Sequence, residues 1–166
     1  MPKLDITVAP VKRGAAFLPE PFASRLAQRW SYRLGEAAGL TQFGVNLVTV
    51  DPGGVGSIRH WHLREDEFAI VLDGELILVE DDGETTLRAG DCAAWKAGEP
   101  VGHHLVNRSD APARFLIVGS KAPDEVATYT ETDMQLRLEN GRARLTHHDG
   151  SDWTGPRDLA PTGETK

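Results

Sequence analysis

Several things are scarce in this sequence, and each scarcity narrows what the protein can be. Cysteine occurs once in 166 residues, as Cys92. A lone thiol closes no internal disulfide, so the core must hold the fold, and a reducing cytoplasm is the expected compartment. Lying in a β-type run, Cys92 is expected to be a small buried apolar residue rather than a reactive thiol. No apolar run approaches the ~20 residues needed to cross a bilayer. The opening MPKLDITVAPVKRG lacks the apolar stretch of a secretory leader. Positive charge is also short: Lys and Arg number 18 against 25 Asp and Glu, a net charge of −7. An acidic chain without a basic run is a poor partner for nucleic acid or an anionic membrane surface. Internal repeats are absent, so one domain is expected.

Turn formers and short apolar runs are plentiful. The 17 glycines and 10 prolines separate runs such as QFGVNLVTV, FAIVL, ELILVE and ARFLIVGS. Runs of this length, rich in Val, Ile and Leu and closed by Gly, Pro or Asp, read as β-strands. FAIVL-DG-ELILV predicts a hairpin with a type I′ Asp-Gly turn, and MQLRLE-NG-RARLT predicts a second hairpin near the C-terminus. Upstream, Phe22, Leu26, Trp30 and Leu34 recur every four residues, which predicts a short helix or helical turn with one apolar face. The expected organisation is an N-terminal arm (1–40), a β-barrel core (41–120), an extension with a hairpin (121–150) and a flexible tail (151–166).

Six histidines fall into three adjacent sets: His60/His62, His103/His104 and His147/His148. In a strand, alternate side chains share a face, so His60 and His62 project together while Trp61 points away. Glu67 follows after the short loop LREDE and can bring a carboxylate to both imidazoles. His103 would add a fourth donor from a later strand. Imidazole nitrogens with one carboxylate oxygen suit a divalent transition metal better than Ca or Mg. Trp95, like Trp61, is expected on the face away from the metal, and His147/His148 are expected to be a solvated surface pair. Arg59 and Arg64 flank the ligands and are expected to be solvated rather than to hold an anion.

The spacing Gly54-x5-His60-x-His62-x4-Glu67-x6-Gly74 resembles the first sequence motif of the cupin superfamily. Gly90-x5-Lys96-x-Gly98 and His103-x3-Asn107 resemble the second, with Lys96 in place of the usual proline and EPVG where two residues are common. The resemblance implies an all-β double-stranded β-helix, a jelly-roll barrel with the helical arm and hairpin appended. It implies one metal (Fe, Mn, Ni or Zn) on His60, His62, Glu67 and His103, and a homodimer. Spacing to Asn107 favours His103 over His104, and family spacing favours Glu67 over Glu65, which is left solvated or bonded to a ligand histidine. Gly74 and Gly90 are expected at positive φ, and Asp91 and Asn107 are expected to bond local backbone.

The expected function is metal-dependent chemistry on a small polar metabolite, as a dioxygenase or as an isomerase of a sugar or sugar phosphate. The alternative is a non-catalytic small-molecule binding or sensor protein. Few acid or base candidates face the expected metal: the only tyrosines, Tyr32 and Tyr129, lie outside the motifs.

Overall fold

The Val-, Ile- and Leu-rich runs become strands that face one another across a barrel. The computed structural model describes residues 3–15 and 17–155. A 3₁₀ turn (Ile6–Val8) precedes β1 (Val11–Arg13), α1 (Phe22–Arg25), β2 (Arg29–Tyr32) and α2 (Leu34–Ala37). The barrel strands follow as β3 (Phe43–Val50), β4 (His60–His62), β5 (Glu67–Asp73), β6 (Glu75–Glu80), β7 (Gly83–Arg88), β8 (Cys92–Trp95), β9 (His104–Val106) and β10 (Ala113–Ser120). The chain continues through β11 (Glu125–Tyr129), β12 (Met134–Glu139) and β13 (Arg142–Thr146).

One wall is a six-stranded sheet in the order β1-β2-β3-β10-β5-β8. The other is built from β7-β6-β9 and β13-β12-β11-β4, and bridges at His60–His103 and Val55–Val106 bring the two together. The first core cluster fills the barrel with Val48, Val50, Val71, Leu76, Leu78, Leu105 and Phe115 among its members. A second cluster, including Leu18, Phe22, Leu26, Ile58, Tyr129 and Met134, lies where the N-terminal segment packs on the sheet of β11–β13. Burial of this apolar area is the main favourable contribution to the fold.

Three sequence expectations change here. The four-residue stripe from Phe22 to Leu34 is not one helix: single helical turns flank β2, which pairs with β3 from Arg29↔Val50 to Tyr32↔Leu47. Pairing with an available strand edge outweighs a weak local helical period. FAIVL-DG-ELILV is not a hairpin, because β5 pairs with β10 and β8 while β6 pairs with β7 and β9. The chain instead crosses from one wall to the other at Gly74. Gly74 has φ +79°, and an added Cβ would sit 2.9 Å from Ala113. Both flanking strands are apolar because they face each other across one core. Cys92 lies in a strand as expected but is exposed rather than buried.

The Asn140-Gly141 hairpin is present, with positive φ at both turn residues and Glu139↔Arg142 closing it. Gly90 has φ +97°, Asp91 accepts from the Arg88 amide at 2.8 Å, and Asn107 bonds the Val50 and Ala111 carbonyls. Within the expected tail, Trp153 packs against Phe22 and His147; residues from 156 onward lie outside those described.

Candidate metal centre

Register dictates which side chains meet. His60 and His103 face each other across β4 and the start of β9, joined by reciprocal backbone bonds of 3.2 and 3.0 Å. His62 lies on the same face of β4, two residues along. Glu67 approaches from β5 on the opposite wall. Its Oε2 lies 3.1 Å from His103 Nε2, 3.7 Å from His62 Nε2 and 3.8 Å from His60 Nε2. The four residues read from the sequence are thus gathered around one carboxylate oxygen.

The hydrogen bonds behind these groups set the chemistry. His60 Nδ1 donates to the Ile58 carbonyl at 2.7 Å and His103 Nδ1 to the Val101 carbonyl at 3.0 Å. With the proton on Nδ1, a neutral imidazole turns a bare lone pair inward at Nε2. Yet His60 Nε2 is 3.1 Å from His62 Nε2, and His103 Nε2 is 3.1 Å from the Glu67 carboxylate. At His103 and Glu67, acceptor meets acceptor. Either an imidazole must take a second proton or a cation must lie among them, and a divalent transition metal fits this donor set.

Electrostatics favour the ligand forms at two of the four positions. Burial pushes His60 down to about 4, so its imidazole is neutral near pH 7. Burial alone would raise Glu67, but its close contact with His103 and the surrounding imidazoles outweigh it and bring the carboxyl down to about 2. His62 differs: burial opposes its charge, but the carboxylates of Glu125, Glu67 and Glu65 more than compensate and raise it.

Glu125 was not apparent from the sequence. It accepts the Leu63 and Arg64 amides at 2.8 and 2.9 Å and lies 3.8 Å from His62 Nδ1, which has no hydrogen bond. It stands far from the motifs, and only the pairing of β11 with β4 brings it here. The same pairing sets the Tyr129 ring 6.0 Å from that of His60. Glu65 is not a donor to the central point: its Oε1 accepts the Ala122 amide at 2.9 Å.

Trp95 overturns one expectation. It lines the site and stacks on His103, with ring centroids 3.9 Å apart and planes 5° apart. The register explains this: Trp95 pairs with Glu67, and directly paired residues share a face. His104 is buried as well as His103, with Nδ1 3.3 Å from the Ser57 carbonyl, because the chain enters β9 at this point. His147 is not solvated but fully buried, with Nδ1 3.1 Å from Asp133 and its ring against Trp153. Arg59 pairs with Asp81 and Arg64 reaches the Asp124 carbonyl.

The centre opens into a cavity of about 350 Å³ inside the barrel. Val45, Val48, Leu105, Phe115 and Ile117 form its apolar wall, and Arg29, Asn46, Ser57, Glu65 and His104 are among its polar groups.

Known proteins place this architecture. The family model "Cupin domain" matches residues 46–119. A crystal structure of a sugar phosphate isomerase of the cupin superfamily from Silicibacter pomeroyi DSS-3 is 45% identical. The match covers 93% of this chain and 98% of that one, with a TM-score of 0.88. A putative sugar phosphate isomerase from Acidithiobacillus ferrooxidans, 24% identical over 76% of this chain and 81% of that one, shares the fold with a TM-score of 0.69. A β-D-galactosidase of Mycobacterium tuberculosis is 36% identical over 94 residues, 56% of this chain and 78% of that protein. With the barrel topology and the two motifs, these likenesses establish that the chain belongs to the cupin superfamily.

Proposed function

We propose that the protein is a metal-dependent isomerase of a small sugar or sugar phosphate. The observation that carries this reading is the convergence of the His60, His62 and His103 Nε2 atoms on the Glu67 carboxylate beside a cavity in the barrel. The name of the Silicibacter pomeroyi protein supports the reaction class.

A divalent ion held by His60, His62, Glu67 and His103 would act as a Lewis acid toward a substrate carbonyl. The chain's own residues do the rest. The Ile58 and Val101 carbonyls fix the His60 and His103 rings, and Trp95 holds His103 from its flat side. Asn46 and Ser57 offer hydrogen bonds to hydroxyls, while Phe115 and Ile117 exclude water from the reacting carbons. The Ala122 amide occupies Glu65 Oε1, and Glu65 Oε2 has no hydrogen bond among the described residues. We assign that oxygen to move a proton between adjacent carbons.

The test is incubation of metal-loaded protein with a panel of aldoses, ketoses and their phosphates in D₂O, followed by NMR. Interconversion with solvent deuterium at the exchanged carbon is expected, lost in His62→Ala and after chelation. The apolar part of the cavity wall favours a second reading, a non-catalytic binding protein. A sugar that raises the melting temperature but is never converted would select it.

A further inference from the structure

The cavity contains a cation that no carboxylate among the described residues pairs with. Arg29, on β2, lines the space that also holds His60, Glu67 and His103. It pairs with Val50, a barrel-core residue, so its side chain starts from the inner face of the wall. Its Nε is buried without a hydrogen-bond partner, and none of its guanidinium nitrogens meets a carboxylate among the described residues. The cavity lining also carries the carboxylates Glu36, Glu65 and Glu67, but none of them pairs with Arg29, and other cations stand close to it. Lys12 pairs with Ser31, which puts it on the same face, and Lys12 is depressed first by burial and then by the charges of Arg29 and Arg33. Arg33 and Lys121 also line the cavity; Arg33 is paired with Glu36 at 2.8 Å, and Lys121 Nζ donates to the Leu40 carbonyl at 3.1 Å.

Arg29 is half-buried, and a guanidinium whose Nε is buried without a partner is costly; arginines that persist in such places are normally paired or bind an anion. In a chain of net charge −7, nearby carboxylates are not in short supply, so the bare Arg29 is the more telling. A planar guanidinium matches the oxygens of a carboxylate or phosphate two at a time. Several cations around one space favour a dianion over a monoanion.

We propose that Arg29, assisted by Arg33 and Lys121, forms a phosphate subsite that anchors the phosphoryl end of a sugar phosphate in the barrel cavity. This deepens the isomerase reading by naming the substrate class. Arg29 lies outside the matched cupin segment, so the N-terminal arm confers this selectivity on a general barrel. No backbone contact depends on the Arg29 side chain: the bonds to Gly14 and β3 use its main chain. Substitution should therefore leave the fold intact.

The experiment is calorimetric titration of inorganic phosphate, and of acetate in a second arm, into metal-free full-length protein. Wild type, Arg29→Gln and Arg29→Lys are compared, with melting curves and metal content recorded for each. Phosphate should bind wild type more tightly than acetate does, and Arg29→Gln should weaken it at least about tenfold, with Arg29→Lys between. Without phosphate, Arg29→Gln should melt no lower than wild type, and it should load metal equally. Equal phosphate affinity in wild type and Arg29→Gln would overturn the proposal, as would absence of phosphate binding, acetate binding as tightly as phosphate, or loss of metal in Arg29→Gln. Because the titration uses metal-free protein, it can fail while sugar isomerisation is observed, and succeed where no turnover is found.

Discussion

His103 and His147 are both buried histidines, each with a ring nitrogen 3.1 Å from a carboxylate, yet they do different work. His147 spends both nitrogens within the protein. Nδ1 faces Asp133, and Nε2 accepts from the Thr154 amide at 3.4 Å. His103 already donates through Nδ1 to a carbonyl, so its Nε2 meets Glu67 as one acceptor meeting another, beside His60, whose Nδ1 is likewise spent on a carbonyl. Burial and a carboxylate neighbour therefore do not mark a metal ligand; a lone pair left without a proton does.

Substitutions should separate the two histidines sharply. The largest effect is expected at the centre: Glu67→Gln or His103→Ala should abolish stoichiometric binding of divalent metal, measured by titration of chelator-treated protein. His147→Ala should bind metal as wild type does but lose about 2–4 kcal/mol of stability in denaturant unfolding, because a buried, hydrogen-bonded ring leaves a cavity and an unpaired Asp133. Metal loss in His147→Ala, with the fold retained, would erase the distinction.

Trp95→Ala sharpens it further. Removing the ring stacked on His103 should leave all four donors in place and weaken metal binding by about tenfold, as loss of a ligand's orienting neighbour typically does. The smallest effect is on pH dependence. His60 is held at about 4 in the fold, against an ordinary value of 6.5 in the unfolded chain. Between those values the unfolded state binds more protons, so the metal-free protein should lose stability as pH falls from 6.5 towards 4. In His60→Gln this part of the loss should shrink, as read from unfolding midpoints across that range.

Much of the site was legible because it obeys short-range rules. Alternation along β4 placed His60 and His62 on one face, and the family spacing pointed to Glu67 and His103, whose side chains the fold brings close together. What escaped depends on pairing between distant strands. Trp95 turns inward because its partner is Glu67, and Glu125 reaches His62 because β11 pairs with β4. Arg29 enters the cavity because a segment with a helical period lies down as β2 beside β3. The Asp73-Gly74 turn shows the same limit: local turn chemistry marked a reversal, but only the two-walled core decides that the strands separate there.

The central claim is that His60, His62, Glu67 and His103 hold one transition-metal ion. Its most direct test is elemental analysis with X-ray absorption spectroscopy on protein purified without a metal-affinity tag. About one ion of Fe, Mn, Ni or Zn per chain, in a nitrogen and oxygen shell showing imidazole scattering, is the predicted result. A chain that takes up no metal even after reconstitution, or whose ion has a shell without imidazole, would contradict it.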